Sequence, residues 1–115
     1  MWSPDDPFLY DLEITLSLQG QNIDRVTGAF GMRKYTLERD SQGALRFCLN
    51  HQPLFLYGPL DQGYWPDGLY TPPTDEAMRW DIDFIKSAGF NMLRKHIKVE
   101  PARYYAYCDR VGLIV

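Results

Sequence analysis

Hydrophobic and polar residues alternate with a period of two near the start of the chain. From Tyr10 onward, Leu12, Ile14, Leu16 and Leu18 recur at every second position between polar residues. That spacing predicts a strand over 8–18 with one buried and one wetted face. A polar turn over 20–24 leads to a second β stretch over 26–37, interrupted by Gly28 and Gly31. Asp40-Ser41-Gln42-Gly43 carries turn chemistry, and 44–49 reads as a third strand. Two or three antiparallel strands bury too little to stand alone. This half therefore reads as the end of a larger sandwich, with Trp2–Pro7 as a connection.

After Asn50 the period changes. Leu54–Leu60 is a nearly continuous apolar run, as expected of a strand covered on both faces. A loop over 61–74 follows, rich in glycine, proline and aromatic residues. Asp75 and Glu76 suit the positive end of a helix dipole, and Met78, Ile82 and Ile85 fall on one helical face. Gly89 fits a left-handed helix end. Asn91–Arg94 is a second short strand, and Glu100-Pro101 opens a second helix whose buried side carries Tyr104, Cys108 and Val111. Gly112 ends it and Leu113-Ile114-Val115 begins a third strand. Strand–helix–strand–helix–strand argues for a parallel sheet with covering helices, and a doubly wound sheet and a (β/α)₈ barrel both fit. The chain stops inside an apolar strand, and a barrel needs about 250 residues. We therefore expect an internal fragment, truncated at both ends.

Composition narrows the function classes. The 115 residues are 45% hydrophobic and 15% aromatic, which is globular rather than disordered. A net charge of -3 gives nucleic acid no electrostatic footing. The apolar runs are too short to span a bilayer as helices, so neither a nucleic-acid nor a membrane partner is expected. Cys48 and Cys108 sit in different contexts and read as separate buried thiols. No metal-ligand spacing and no cofactor motif is present.

Six phrases then carry a resemblance. Trp2-Ser3-Pro4-Asp5-Asp6-Pro7-Phe8-Leu9-Tyr10-Asp11-Leu12 resembles the W-x-P-x-x-P-x-L-Y-x-L phrase of glycoside hydrolase family 2, and Phe30-Gly31-Met32-Arg33 its F-G-x-R strand. Leu49-Asn50-His51-Gln52-Pro53 through Gly58 is similar to L-N-G-K-P-x-x-x-R-G. Asp81-Ile82 to Lys86 and Asn91 to Arg94 resemble D-I-x-x-x-K-x-x-x-x-N-x-x-R, and Cys108-Asp109 to Leu113 matches C-D-x-x-G-L. The resemblance implies the end of an immunoglobulin-like β-sandwich over residues 1–49 and the start of a TIM-barrel catalytic domain over 50–115. It also implies a parent enzyme of the β-galactosidase, β-glucuronidase or β-mannosidase class, which hydrolyses terminal β-linked sugars with retention. There are departures: Tyr57 stands where the family often has arginine, Leu60 where asparagine is common, and His96 comes one residue early.

No position matches either catalytic glutamate, so no catalytic residue is assigned and the isolated chain is expected to be inactive. Asp75, Glu76, Asp81, Asp83 and Glu100 have bland readings as helix starts or a solvated helix face. Barrel sites lie at the carboxyl ends of strands, and two such places are present. The loop 61–68 joins Asp61, Gln62 and Trp65, pairing hydrogen-bonding groups with a flat ring for a sugar face; the alternative is a loop anchored by Trp65 packing on the sandwich. The second place holds Arg94 and His96. Arg94 resembles the family's strand arginine expected beside the nucleophile, the alternative being a structural ion pair. His96 suits a sugar hydroxyl or a satisfied buried position, while Lys95 and Lys98 read as solvated. The expected partners are a carbohydrate substrate and the remaining parts of the parent chain. Competing readings are a non-catalytic carbohydrate-binding or interaction module and a self-contained α+β domain.

Overall fold

The computed structural model describes all 115 residues. Strands β1 (Tyr10–Leu18) and β2 (Gln21–Phe30) form an antiparallel hairpin, Tyr10 opposite Phe30 and Leu18 opposite Gln21. The turn is tighter than the composition suggests, only Gln19-Gly20, both with positive φ. Strands β3 (Tyr35–Arg39), β4 (Leu45–Leu49) and β5 (Gln52–Pro53) form a second antiparallel sheet in that order. These small antiparallel sheets are of the kind from which a β-sandwich is built. The β stretch expected over 26–37, with interruptions at Gly28 and Gly31, breaks only at the second: β2 runs on through Gly28, and the chain leaves the hairpin at Gly31 and enters the second sheet after Lys34. The expected one-sided burial of the first strand is also corrected. Every residue of β1 and β2 is exposed, Ile14, Leu16 and Leu18 included, since no second sheet packs on the hairpin within these residues.

The second half follows the predicted alternation. Helix α1 (Asp75–Ser87) starts at Thr74, whose hydroxyl accepts from the Ala77 N–H at 3.1 Å, and Asp75 and Glu76 occupy its first turn. Helix α2 (Ala102–Val111) ends at Gly112 in the left-handed region. Strand β6 (Leu60–Asp61), ahead of α1, pairs in parallel with β7 (Arg94–Lys95), which follows it, and Met92 bridges in parallel to Ile114 after α2. Met78, Ile82, Leu93, Tyr104, Cys108 and Leu113 form the core between this sheet and the two helices.

The short strand expected over 54–60 shrinks to the two residues of β6, Leu60–Asp61, where a side chain takes the place of the ladder. The Tyr57 carbonyl accepts from both Asn91 N–H and Met92 N–H, at 3.1 and 3.3 Å. The Asn91 side chain then accepts from Tyr57 N–H at 2.9 Å and donates to Phe55 O at 2.7 Å. A side-chain amide thus replaces the regular ladder. Phe55, expected to be buried, is 82% exposed.

One residue joins the halves. Trp2 is fully buried, and its indole N–H donates to Asp109 O at 2.7 Å. The Arg33 guanidinium lies 4.4 Å from the Trp2 ring centroid and pairs with the Asp109 carboxylate at 2.6 Å. Gly31 makes room, since a Cβ there would sit 2.9 Å from the indole. Nearby, Lys86 Nζ donates to Pro4 O at 2.6 Å and Gly112 O at 2.9 Å. Gly112 has φ +79, and a Cβ would come within 2.3 Å of Pro4 O, so this contact requires glycine on both counts. Trp2→Ala is expected to destabilise the chain by about 3–5 kcal/mol. A urea midpoint unchanged from the parent chain would refute Trp2 as the joint between the halves.

Candidate functional site

The carboxyl ends of β6 and β7 lie side by side, and the residues leaving them meet a buried charge cluster. Asp61 ends β6 and Lys95 ends β7. Lys95 Nζ touches Asp61 Oδ2 at 2.6 Å and Glu100 Oε1 at 2.6 Å. Lys98 Nζ reaches the same Glu100 oxygen at 3.0 Å. The Glu100, Lys95 and Lys98 side chains are 2%, 6% and 10% exposed. The expectation that both lysines are solvated, and that Glu100 merely starts a helix, is therefore corrected. A carboxylate taken from water needs charge partners, and the two lysines supply them. Burial by itself would depress the Lys95 pKa, but hydrogen bonds and charge from Asp61 and Glu100 outweigh it and hold the group above the ordinary lysine value. Burial, with Asp61 nearby, raises Asp81.

The cluster also fixes the aromatic loop. Lys98 Nζ donates to Gly63 O at 3.0 Å and to Tyr70 O, tying both ends of the segment between them. Asp61 Oδ1 accepts from Gly63 N–H at 2.6 Å. Gly63 has φ +66, and a Cβ would lie 2.6 Å from Lys98 Nζ, so the loop can approach the lysine only with glycine there. Within the loop Trp65 and Leu69 exchange backbone hydrogen bonds at 2.7 and 3.0 Å. Tyr64 and Tyr70 share a hydroxyl contact at 2.9 Å with ring centroids 4.9 Å apart, which raises the Tyr64 pKa.

Of the residues singled out from sequence, the fold brings four to this end of the strands. Asp61 belongs to the cluster. Gln62 Nε2 meets His96 Nδ1 at 3.1 Å, and His96 N–H donates to Asp61 O at 2.9 Å. Half-buried Trp65 lines a small cavity with Glu100 and Tyr104. Arg94 behaves differently. Leu93 is buried against the helices, so alternation along the strand turns Arg94 to the opposite face, where it is exposed and pairs with no carboxylate. The rule that a charge at a buried strand end needs a partner does apply, one residue later, at Lys95. Sequence reading passed over Lys95, Lys98 and Glu100. Their signal is three charges within six residues directly after a buried strand.

Neither thiol offers a nucleophile. Cys48 and Cys108 are free and buried, as expected, and burial pushes the Cys108 pKa up to about 12.

Comparison with known proteins gives this geometry a context. The family model described as glycosyl hydrolases family 2 matches residues 1–33. Over that stretch the chain is similar to glycosyl hydrolase family 2. A β-galactosidase of Lactococcus lactis is 32% identical over the whole chain. An exo-β-D-glucosaminidase of Amycolatopsis orientalis is 28% identical over 91% of the chain. The apo structure of Bacteroides uniformis β-glucuronidase 3 superposes over 98% of the chain and 14% of its own, at a TM-score of 0.80 and 29% identity. The chain spans only 11% of the length of the first of these relatives and 10% of the second.

Lys95→Met leaves two carboxylates without their shared cation and is expected to cost about 3–5 kcal/mol. The folded-state pKa of Lys95 is raised, so its stabilisation is complete below the unfolded lysine value of about 10.4 and is lost as pH rises through the folded value. Stability of the parent chain should therefore fall on that alkaline limb, and Lys95→Met should flatten it. Parallel alkaline limbs in denaturation curves of the two would contradict the assignment.

Proposed function

We propose that this chain is the part of a family 2 glycoside hydrolase that carries the end of an immunoglobulin-like sandwich, residues 1–49, into the opening strands of a (β/α)₈ barrel, residues 50–115. In this reading it builds one wall of a pocket for a terminal β-linked sugar of the galactoside, glucuronide or mannoside class. The observation that supports it most is positional. A loop of aromatic and hydrogen-bonding residues, with an exposed arginine beside it, stands at the carboxyl ends of two parallel strands joined by a helix. That is where parallel α/β architectures place ligands.

The side chains divide the work. Trp65, with Tyr64 and Tyr70 nearby in the loop, offers ring faces for the apolar face of a sugar. The Gln62–His96 pair offers donors and acceptors to hydroxyls. Asp61 already has Lys95 and the Gly63 N–H as partners, so it acts by holding the loop as much as by direct contact. Arg94, on the face of the sheet opposite the helices, is positioned to steady an anionic carboxylate or a developing charge there. Retaining hydrolysis needs two carboxyl groups about 5 Å apart, one as nucleophile and one as acid/base. Asp61 and Glu100 are close enough to share one ammonium, but lysines occupy both. The catalytic pair in this reading comes from later strands of the longer enzyme.

The test is to assay the 115-residue chain and the longer enzyme that contains it on chromogenic β-galactoside, β-glucuronide and β-mannoside. The longer enzyme should turn over one of them and the chain alone none. Trp65→Ala in the longer enzyme should lower kcat/KM about tenfold, the equivalent of ~1.4 kcal/mol of lost stacking. Turnover by the chain alone would overturn the division of labour. A longer protein that binds sugar without cleaving it would favour a carbohydrate-binding module.

A further inference from the structure

Beneath the aromatic loop, between Asp61, Trp65, Asp81, Lys95, Glu100 and Tyr104, lies a cavity of about 20 Å³. Glu100 lines it, and although Oε1 carries both lysines, its other carboxylate oxygen, Oε2, is buried without any hydrogen-bond partner. Such an orphan is rare in native proteins, because a buried polar atom without a partner loses its hydration and gains nothing in return. Lys95 has three N–H donors and ion-pair partners for two, Asp61 and Glu100.

We propose that this cavity is a binding site for one neutral hydroxyl group, which donates to Glu100 Oε2 and accepts from the third N–H of Lys95. The chemistry selects against other occupants. A cation cannot accept from Lys95 and is repelled by two ammonium groups, and no group of three His, Cys, Asp or Glu side chains is arranged to hold a metal. An anion cannot donate to Oε2 and meets three carboxylates. Only a group that both gives and takes a proton bond complements the pair. The size agrees, because one water-sized sphere needs about 10–15 Å³. The hydroxyl has two sources: an ordered water, or a hydroxyl of a saccharide seated against Trp65. The second source rests on the functional reading above and the first does not. In either case the site lies between the charge cluster and the aromatic loop, since Glu100, Lys95, Gly63 and Trp65 all line it.

A high-resolution crystal structure of the full chain, free and soaked in methyl β-D-galactoside, decides the matter. One density peak is expected within about 2.6–3.2 Å of both Glu100 Oε2 and Lys95 Nζ. In soaked crystals that peak either persists as water or merges with a sugar hydroxyl, and both support the site. If no sugar binds anywhere while the peak is present, the functional reading suffers and the hydroxyl site stands. An empty cavity, Glu100 Oε2 bonded directly to a protein donor, or a multi-ligand cation at 2.3–2.6 Å would each overturn the proposal. Glu100→Gln keeps the shape and should keep the peak; Glu100→Met should lose it. A peak unchanged in Glu100→Met would show that Glu100 does not hold it.

Discussion

A single buried carboxylate sets the terms for the second half of this chain. Glu100 lies under the strand ends, out of contact with bulk water, so the surrounding sequence must deliver charge to it. Lys95 arrives from β7 and Lys98 from the loop that follows. Each lysine then carries its own obligation further. Lys95 draws in Asp61 from the neighbouring strand, and Lys98 fastens the backbone of the aromatic loop at Gly63 and Tyr70. Strand pairing, loop shape and the start of α2 are thus coupled through one group of charges. Because the low dielectric strengthens each contact and makes each omission costly, the arrangement specifies one loop conformation rather than many.

A second constraint joins the halves. Trp2 lies 107 residues from Asp109 in sequence yet donates to its carbonyl, with Arg33 stacked over the ring and paired to the same residue. The chain therefore closes on itself from its first residues to its last helix. Lys86, reaching Pro4 O from α1, strengthens the same closure. The exposed hairpin of β1 and β2 shows what a strand pair looks like when no such contact holds it: every residue faces solvent.

The relatives named above act on galactosides, glucosaminides and glucuronides, as their names state, while sharing this portion of fold with the chain. In this chain the frame is held by the Trp2 joint and the Glu100 cluster. Under the proposed function, sugar choice would fall to loop side chains. In this chain those are the Gln62–His96 pair and the rings of Tyr64, Trp65 and Tyr70, which decorate the cluster rather than form it.

The sequence by itself determined the element types. Period-two alternation marked the hairpin, the i, i+4, i+7 spacing of Met78, Ile82 and Ile85 marked the buried side of α1, and Gly89 and Gly112 marked both helix ends. These are local signals, written in residues a few positions apart, and local physics is enough to read them. The same kind of reading placed Asp61, Gln62, Trp65 and His96 at strand ends. It failed wherever the deciding partner is distant. Lys95 and Lys98 looked solvated because nothing adjacent says that a carboxylate will be buried beside them. The strand expected over 54–60 dissolved because Asn91, more than thirty residues away, substitutes its side chain for the ladder. Which lysine is buried and which arginine is bare turns on a one-residue step along β7, since alternate positions face opposite sides of the sheet. Only the tertiary structure, by fixing which side carries the helices, decides that step.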